Sequence, residues 1–365
     1  MAAVKLLFLS LSLSILSIFV FGQENKMDFE KYDPPSSLKV PEHPLTKAKF
    51  PFVDLHSHHW NMATQDISIL LKEMDALNMQ VCINLSGRGG NALKGMIENV
   101  KKYGAEDRIA IFTNVSFNGI EESDWSANAV KQLEFDVQNG AKGLKIFKSL
   151  GLSTKDKAGN RIAIDDPRLD PIWAKCGELG IPVLIHSADP AQFWEPFDEN
   201  NERWLELKTH PGRKRSDTDP APFSTLIKEQ HHVFQKHTKT TFINAHFGWM
   251  ANDLDSLSRF LDVFPHVNVE FGAVIAELGR QPRRAGSFFE KYQDRILFGK
   301  DAYNPEEYFT YFRVLETADE YFPYYKRYHA FWKMYGLNLP DKILKKIYYQ
   351  NAVRIVGLKK EGFEK

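Results

Sequence analysis

The chain contains little cysteine and no excess of charge of either sign. Only two of its 365 residues are cysteine, Cys82 and Cys176. That is too few for a fold held by disulfide bonds, so a hydrophobic core must stabilise it. Lysine plus arginine and aspartate plus glutamate each number 47, and this balance gives no indication of nucleic acid or an acidic membrane as a partner. We therefore expect a small-molecule substrate.

Apolar runs are short along most of the chain, and the longest lies at the amino terminus. Lys5 precedes the apolar residues 6–21, and the small Gly22 and polar residues follow. This order is typical of a secretory signal that is cleaved after Gly22. The run is also shorter than the roughly 20 residues that a membrane-spanning helix needs. We predict that residues 1–22 are removed and that the mature protein is periplasmic or secreted, without a stable membrane anchor; an uncleaved anchor is the alternative.

After a polar, proline-bearing arm at residues 23–49, short β-branched or aromatic runs alternate with amphipathic stretches. The runs are PFVDLH, MQVCINL, RIAIFTNV, KGLKIF, PVLIH, TTFINAH, VNVEFG and RILFG, beginning near residues 51, 79, 108, 142, 182, 240, 267 and 295. Eight strands with intervening helices over roughly 250 residues are typical of a closed barrel. We predict an α/β protein, a single-domain (β/α)8 TIM barrel over residues 50–358.

Two segments add to this repeat. An insert at about residues 190–222 follows the fifth predicted strand, where a barrel carries its catalytic loops, so it is a candidate lid or substrate loop. The alternative is that the insert is a surface addition without a role in catalysis. The aromatic-rich carboxyl-terminal segment is predicted to be helical across 305–333 and 340–353. It could cover the barrel or form a contact between copies, so a homo-oligomer stays open.

Histidine and aspartate side chains follow the carboxyl ends of four predicted strands. These are His56, His58, His186, His246 and Asp301. The carboxyl ends of barrel strands meet at one rim, so these side chains can converge there. Imidazoles and a carboxylate are common metal ligands in proteins. The sequence therefore predicts a metal site at this rim, and we expect one ion rather than two.

The alternation of strand side chains supports this convergence. Residues two apart share a face of a strand, and the outer face of a barrel must be apolar. If Val53 and Leu55 face the helices, then Asp54, His56 and His58 face inward. The same reasoning places His186, His246 and Asp301 inward, with outward neighbours that include Ile185, Ile243, Ala245 and Phe298.

In the segments VDLHSHH and LFGKDAYNP, and in the strand-end residues His186 and His246, the sequence resembles the amidohydrolase superfamily. The resemblance covers most of the chain after about Phe50. It points to the amidohydrolase-related branch that includes aromatic-acid decarboxylases, hydratases and lactonases. It implies a distorted barrel in which His56, His58, His186 and Asp301 bind a divalent metal, usually zinc. His246 would then contact the substrate or the metal-bound water.

Lys145 has two interpretations. Leu144 and Ile146 take the outward phase, so Lys145 faces the barrel interior. The segment resembles the strand-four lysine of binuclear amidohydrolases, whose amine is carboxylated and bridges two metals. The alternative is an inward amine that binds a substrate carboxylate or a neighbouring acid, and burial readily removes the charge of such a lysine.

Four further residues are weaker candidates for substrate binding. Glu270 takes the inward phase of its strand and could contact substrate, orient a ligand histidine or form a structural ion pair. Arg88, Arg280 and Arg283 follow strands and could bind a substrate carboxylate. For Arg280, Arg283 and the neighbouring Arg284, an exposed helix start is the alternative for at least two.

Hydrolysis of an ester, lactone or amide is the preferred functional hypothesis. Water activated by the metal would attack the carbonyl, Asp301 would move the proton, and His246 would stabilise the oxyanion. The second hypothesis is a lyase, a decarboxylase or hydratase of a carboxylated small molecule at the same site. The third is an exported binding protein without catalysis.

Overall fold

The structure is a computed structural model that describes residues 27–363. The chain divides into two units at Leu38. In the first, residues 27–38 form one 3-10 turn, Phe29–Lys31, and otherwise irregular backbone. The second unit, from Lys39 onward, holds the strands and helices described below. The predicted signal segment lies outside the described residues.

Eight parallel strand regions form the barrel, one at each predicted run. They are β1 (Phe52–Ser57), β2 (Met79–Asn84), β3 (in two segments, Ile109–Ile111 and Thr113–Asn114), β4 (Leu144–Ile146), β5 (Val183–Ile185), β6 (Phe242–Asn244), β7 (Val267–Glu270) and β8 (Ile296–Leu297). Each pairs in parallel with the next along the chain. The predicted α/β class is confirmed.

Backbone hydrogen bonds close these strands into a ring. Between the two segments of β3, Phe112 N donates to Asn84 O at 3.0 Å, and Thr113 N then donates to Gly143 O at 2.9 Å. At the other junction, β8 returns to β1, because Leu55 N donates to Phe298 O at 3.0 Å. The arrangement is the predicted (β/α)8 TIM barrel.

Helices follow the strands and cover the outside of the barrel. The longer ones are Ile67–Leu77, Gly90–Lys102, Trp125–Gln138, Asp170–Leu179, Phe223–Lys236, Leu254–Val263, Pro282–Tyr292 and Tyr308–Glu316. Shorter helical segments are Ser149–Leu152, Pro167–Leu169, Ala191–Phe193, Trp204–Thr209, Pro211–Arg213, Ala245–Trp249, Ile275–Arg280, Pro305–Glu307, Asp341–Lys345, Lys346–Gln350 and Asn351–Val356. Within residues 27–363, no helix has both the length and the apolar character needed to cross a bilayer.

The prediction of a helix across 305–333 is wrong beyond Glu316. Thr317 adopts extended backbone, and its hydroxyl donates to Arg313 O at 2.8 Å, which satisfies a carbonyl at the helix end. An antiparallel pair, Phe322–Pro323 with Lys333–Met334, occupies the remainder. Pro323 lacks the amide that a continuing helix would need.

Two hydrophobic clusters separate the inside of the barrel from its outside. The interior cluster includes Val53, Leu55, Ile83, Phe112, Leu184, Ile243, Ala245 and Leu297. Strands from opposite sides of the ring contribute to it, as expected of a filled barrel. The outer cluster, packed with the helices, includes Phe52, Leu144, Ile146, Val183, Ile185, Phe242, Val269, Ile296 and Phe298.

The predicted alternation is correct on β4, β5, β7 and β8 but wrong on β1 and β6. Val53, Leu55, Ile243 and Ala245 were expected to face helices, yet all four lie in the interior cluster. Asn244, between Ile243 and Ala245, faces the helices instead. It exchanges hydrogen bonds of 3.0 and 3.2 Å with Gln230 of the covering helix Phe223–Lys236. Local backbone departures, rather than strict alternation, must therefore bring His56 and His246 to the interior.

Candidate metal centre

A β-bulge in β1 turns His56 inward. Asp54 pairs with Cys82 and Ser57 with Asn84, so β1 has one residue more than β2 over this stretch. Asp54 itself lies outside the interior, where Tyr308 donates its hydroxyl proton to Oδ2 at 2.6 Å. The other Asp54 oxygen accepts the His56 amide at 3.1 Å. The bulge, and not the predicted alternation, gives His56 its direction.

A left-handed turn after β6 brings His246 to the interior. The strand ends at Asn244, and φ is 56° at His246 and 53° at Phe247. Non-glycine residues reach this region at a cost of about 1 kcal/mol or more each, so neighbouring contacts must hold them. Two contacts do so: His246 N donates to Glu270 Oε1 at 2.9 Å, and the ring nitrogen Nδ1 lies 2.7 Å from Gly272 O.

Three of the four predicted ligands meet at the rim. Asp301 Oδ1 lies 3.5 Å from His56 Nε2 and 3.6 Å from His58 Nε2, and the ligand atoms of the three residues all lie within 4.8 Å of one another. Four ligand bonds of about 2.1 Å around a tetrahedral zinc ion place neighbouring donor atoms roughly 3.4 Å apart. The observed separations match that spacing.

The hydrogen bonds on Nδ1 fix which nitrogen each ligand histidine offers. His56 Nδ1 lies 2.8 Å from Glu270 Oε1, and His58 Nδ1 lies 2.7 Å from Ser86 Oγ. An Nδ1 proton donated to each acceptor leaves the Nε2 lone pair directed at the cluster. Burial, and then the charge of Lys145, hold the pKa of His56 well below its usual range. The ring is therefore neutral at neutral pH, as a metal ligand must be.

His186 lies beside this trio and contacts it through His246. His186 Nδ1 is 3.3 Å from His246 Nε2. Because His246 donates from Nδ1 to Gly272, its neutral ring can only accept at Nε2, and His186 must donate there. The His186 Nε2 atom then carries a lone pair, and it is buried without a hydrogen-bond partner. His186 is not within the 4.8 Å group formed by the other three ligands.

Unsatisfied buried atoms support a cation at this place. Within residues 27–363, His56 Nε2, His186 Nε2 and Lys145 Nζ are all buried without a hydrogen-bond partner. Such atoms are uncommon because each costs free energy, unless a ligand or ion supplies the missing contact. Together with the donor set and the tautomers, they fit a divalent metal such as zinc. His56, His58 and Asp301 would hold it, with His186 as the fourth candidate.

Asp301 is ionised in this setting. Burial alone would raise its pKa, but the hydrogen bond with His58 and the electrostatic interaction with the His56 and His246 rings outweigh burial and hold the pKa of this carboxyl well below its usual range. Its side chain is also 35% exposed, so the carboxylate faces both the ligand nitrogens and the mouth of the barrel. This is the position of a group that binds metal and accepts a proton.

Lys145 lies inside the barrel, as predicted. Only 1% of the residue is exposed. Burial lowers the pKa of its amine to about 7, although the charges of Glu270 and Asp301 act in the opposite direction. A substantial fraction of the amine is therefore uncharged at neutral pH.

Glu270 has both carboxylate oxygens engaged by neighbouring hydrogen-bond donors. It is fully buried, and its Oε1 atom accepts from both His56 and His246 N. Its Oε2 atom accepts from Gly272 N at 2.6 Å. Of the roles considered for this residue, the structure matches the orientation of a ligand histidine.

The structure does not bring the three candidate arginines to the metal ligands. Arg280 forms an ion pair with Glu202, and its guanidinium lies 3.7 Å from the centre of the Trp332 ring. Arg283 is exposed on the helix Pro282–Tyr292, and Arg88 is exposed after β2. Within residues 27–363, no hydrogen bond or ion pair joins their side chains to the cluster.

Sequence reasoning missed several neighbours of the site. Phe147 stacks on His58 with ring centres 5.6 Å apart, and Trp60 stacks on both rings. Lys148 forms an ion pair with the buried Asp189. Ser86, the hydrogen-bond partner of His58, follows β2 at the same rim as the predicted ligands, and that position was the available signal.

The chain is similar to known proteins in both sequence and fold. The amidohydrolase family model matches residues 122–358. The solved structure of 2,6-dihydroxybenzoate decarboxylase is 14% identical in sequence with a TM-score of 0.53, covering 85% of this chain and 100% of that one. An uncharacterised TIM-barrel protein of Bordetella bronchiseptica is also 14% identical, with a TM-score of 0.51 and coverage of 84% and 98%. At such identity these similarities show the fold alone. No curated protein matches the chain.

Proposed function

Because the chain belongs to the amidohydrolase family, we propose that it is a metal-dependent hydrolase of a small ester, lactone or amide. The observation that carries this proposal is the Asp301 carboxylate, 3.5 and 3.6 Å from the Nε2 atoms of His56 and His58. Imidazole and carboxylate donors at these separations favour zinc. The substrate is the only partner that the proposal requires.

The residues of the site have two roles in this proposal: they bind the ion and they transfer a proton. A divalent ion held there would lower the pKa of a water molecule towards ~7 and polarise a carbonyl oxygen. Asp301, ionised at neutral pH, accepts the proton of the attacking water and returns it to the leaving group. Glu270 and Ser86 keep the rings of His56 and His58 in place.

For His246 we propose positioning instead of oxyanion stabilisation. Its Nδ1 proton is directed to Gly272 O, and its Nε2 atom accepts from His186. Burial also lowers the pKa of His246 to about 4, so the ring is neutral at neutral pH and has no second proton to donate. The ring instead orients His186, whose Nε2 lone pair is directed into the buried interior.

We propose one ion and a free amine on Lys145. A second possible group consists of His56, His246 and Glu270, but Glu270 Oε1 already accepts from both of those histidines. An uncharged amine at this place would accept a proton or a hydrogen bond from substrate.

A lyase reaction, decarboxylation or hydration, is the second candidate. The same ion would then bind substrate oxygens, and Asp301, after taking up a proton, would protonate carbon. A decarboxylase shares the fold, which makes this alternative worth testing.

Product analysis in oxygen-labelled water separates the two reactions. The zinc-loaded protein is screened against esters, lactones and aryl carboxylates. Hydrolysis places label in the released acid, whereas decarboxylation releases carbon dioxide and leaves the product unlabelled. The Asp301→Asn variant should lose turnover by at least about a hundredfold, since it removes a ligand and the proton acceptor. The exposed Glu290→Gln is the matched control. Turnover of the Asp301→Asn variant at the wild-type rate would remove Asp301 from the mechanism.

We also propose export, on the amino-terminal sequence. Intact-mass measurement of the protein recovered from its native host should give a chain that begins at Gln23. A chain that retains residues 1–22 would contradict cleavage.

A further inference from the structure

A buried carboxylate beside the metal ligands is paired with two cations. Asp189 follows β5 three residues after His186 and is 2% exposed. Its Oδ1 atom accepts from the Lys148 ammonium. Its Oδ2 atom accepts from Arg215 twice, from Nε at 3.1 Å and from Nη2 at 2.9 Å. Two positive groups on one carboxylate leave a net charge of +1.

The two cations differ in what they can still bind. Arg215 also donates from Nη1 to Gly212 O at 3.0 Å, so its guanidinium is engaged on both sides and fixes the insert to the loop after β5. The Lys148 side chain is 42% exposed. Within residues 27–363, its one hydrogen bond goes to Asp189, and an ammonium has three N–H groups. Lys148 is therefore the cation that still has N–H groups available to a ligand, and it carries the positive charge that Asp189 does not neutralise.

Lys148 lies in the loop after β4, next to residues that contact the metal ligands. It directly follows Phe147, whose ring stacks on His58. The charge of Lys148 also acts on His186 and Lys145 from nearby, as one of the causes that lower the pKa of each. On the same side, Trp60 is 51% exposed and stacks on Phe147 and His58. Lys148 is therefore a neighbour in sequence of the aromatic pair that borders His58, and its partner Asp189 lies three residues after His186.

We propose that Lys148 binds a carboxylate group of the substrate, with Asp189 holding the ammonium in position. This inference rests on the proposed function, because it names the substrate class of the same site. Asp189 restrains the flexible lysine without neutralising the pair of cations, so an anion can bind without first displacing a partner. A neutral substrate would not neutralise the net positive charge of the group formed by Lys148, Arg215 and Asp189. The competing explanation is an ion pair that only ties the loop after β4 to the loop after β5.

Binding of benzoate and of its neutral analogue benzamide tests the proposal. Titration calorimetry is carried out on the zinc-loaded protein and on the Lys148→Met, Lys148→Arg and Lys142→Met variants. Lys142 is an exposed lysine before β4, at the opposite end of the barrel. We expect Lys148→Met to weaken benzoate binding about tenfold or more, the loss of one charge-assisted hydrogen bond. Lys148→Arg should retain most of the affinity, and Lys142→Met should not change it. Benzamide binding should be the same in all four proteins.

The opposing outcomes are distinct. Equal affinity of wild type and Lys148→Met for benzoate would overturn the proposal, as would a wild type that binds benzoate no better than benzamide. If Lys148→Met does not fold, Lys148→Gln gives the same comparison. Because binding is measured without turnover, a protein that binds benzoate through Lys148 but hydrolyses nothing would overturn the proposed function alone. Hydrolysis of neutral esters without any benzoate preference would overturn only the carboxylate subsite.

Discussion

At the scale of single residues, the orientation of the imidazole rings decides what the site can bind. His56, His58 and His246 each have Nδ1 within hydrogen-bond distance of an oxygen acceptor. His186 completes the set through the His246 ring. These contacts direct lone pairs, not protons, towards the cluster. A neighbour that holds a ligand ring typically contributes about 10–100-fold to metal affinity.

Glu270→Gln tests this arrangement at one residue. Both Glu270 oxygens accept backbone amides, and one of them also accepts His56 Nδ1. A side-chain amide would place an N–H group against one of these donors. We expect zinc affinity, measured by competition with a chelator, to fall about 10–100-fold. Glu290→Gln, an exposed change, should leave it unchanged. Wild-type affinity in Glu270→Gln would show that orientation by Glu270 is dispensable.

At the scale of elements, the strand ends carry the departures from regular backbone. Residues after β2, β5, β6, β7 and β8 adopt positive φ without being glycine. These include Arg88, Ala188, His246, Ala273 and Asp301, at 57°, 61°, 56°, 60° and 88°. Such conformations cost about 1–3 kcal/mol each and persist where surrounding contacts over-determine them. Here they turn side chains across the rim of the barrel.

Gly299→Ala tests how tightly the strand ends pack around the ligands. A Cβ atom at this position would lie 2.4 Å from Glu270 Oε2 and 3.0 Å from the His56 Cβ atom. The change removes no donor, yet it must displace Glu270 or β1. We expect zinc affinity to fall at least about tenfold and stability to fall by about 1–3 kcal/mol.

Gly286→Ala is the matched control. Gly286 lies in the helix Pro282–Tyr292, where a Cβ atom would meet nothing within 4 Å. It should be neutral or stabilising by about 0.5–1 kcal/mol. Equal zinc affinity in both glycine variants would argue against close packing at Gly299.

The same elements show how far sequence reasoning reaches. Strand spacing correctly predicts eight strands, and alternation correctly orients Lys145, His186, Glu270 and Asp301. For His56, alternation names the right residue for the wrong reason. The alternation rule assumes a regular strand, so it does not account for the extra residue in β1. Bulges and left-handed turns depend on contacts between strands, which a single-strand pattern does not contain.

Contacts between residues in distant loops could not be predicted from the sequence either. The pairing of Lys148 with Asp189 joins residues 41 positions apart, and the pairing of His58 with Ser86 spans 28. Neither segment alone indicates its partner. Side-chain patterns could place these residues near the rim but could not pair them.

At the scale of the whole molecule, the insert is anchored at two points. Arg203, near its middle, is buried and forms ion pairs with Glu206 and with Glu277 of the helix Ile275–Arg280. Arg215, nearer its carboxyl end, forms an ion pair with Asp189 of the loop after β5. Removing one partner of a buried pair leaves an uncompensated charge, so such pairs resist opening. The predicted lid is therefore held in place at these two points.

Buried ionisable groups predict how stability depends on pH. Burial lowers the pKa of His59 and of His246 to about 4. In the unfolded chain histidine titrates near ~6.5, so between about pH 6.5 and 4 the unfolded state binds more protons and folding stability falls as pH falls. Asp54 acts in the opposite direction: burial raises its pKa to about 7, so acidification protonates it first in the folded state and adds stability.

Asp54→Asn removes that opposing contribution. The free energy of unfolding of the zinc-free protein should therefore fall more steeply from pH 7 to pH 4.5 in Asp54→Asn than in wild type, by about 1 kcal/mol or more. Urea unfolding of both proteins at three pH values measures this pH dependence of the free energy of unfolding. Asp217→Asn, an exposed change in the insert, should follow the wild-type slope. Parallel slopes for wild type and Asp54→Asn would contradict the assignment.

Zinc content tests the central claim most directly. The purified protein is loaded with zinc, freed of excess and analysed for metal, together with His58→Asn, Asp301→Asn and the exposed control His232→Asn. We predict about one zinc ion per chain in wild type and in His232→Asn, and less than about a tenth of that in the two ligand variants. A wild type that retains no divalent ion, or ligand variants that keep a full one, would contradict a metal centre built on His56, His58 and Asp301.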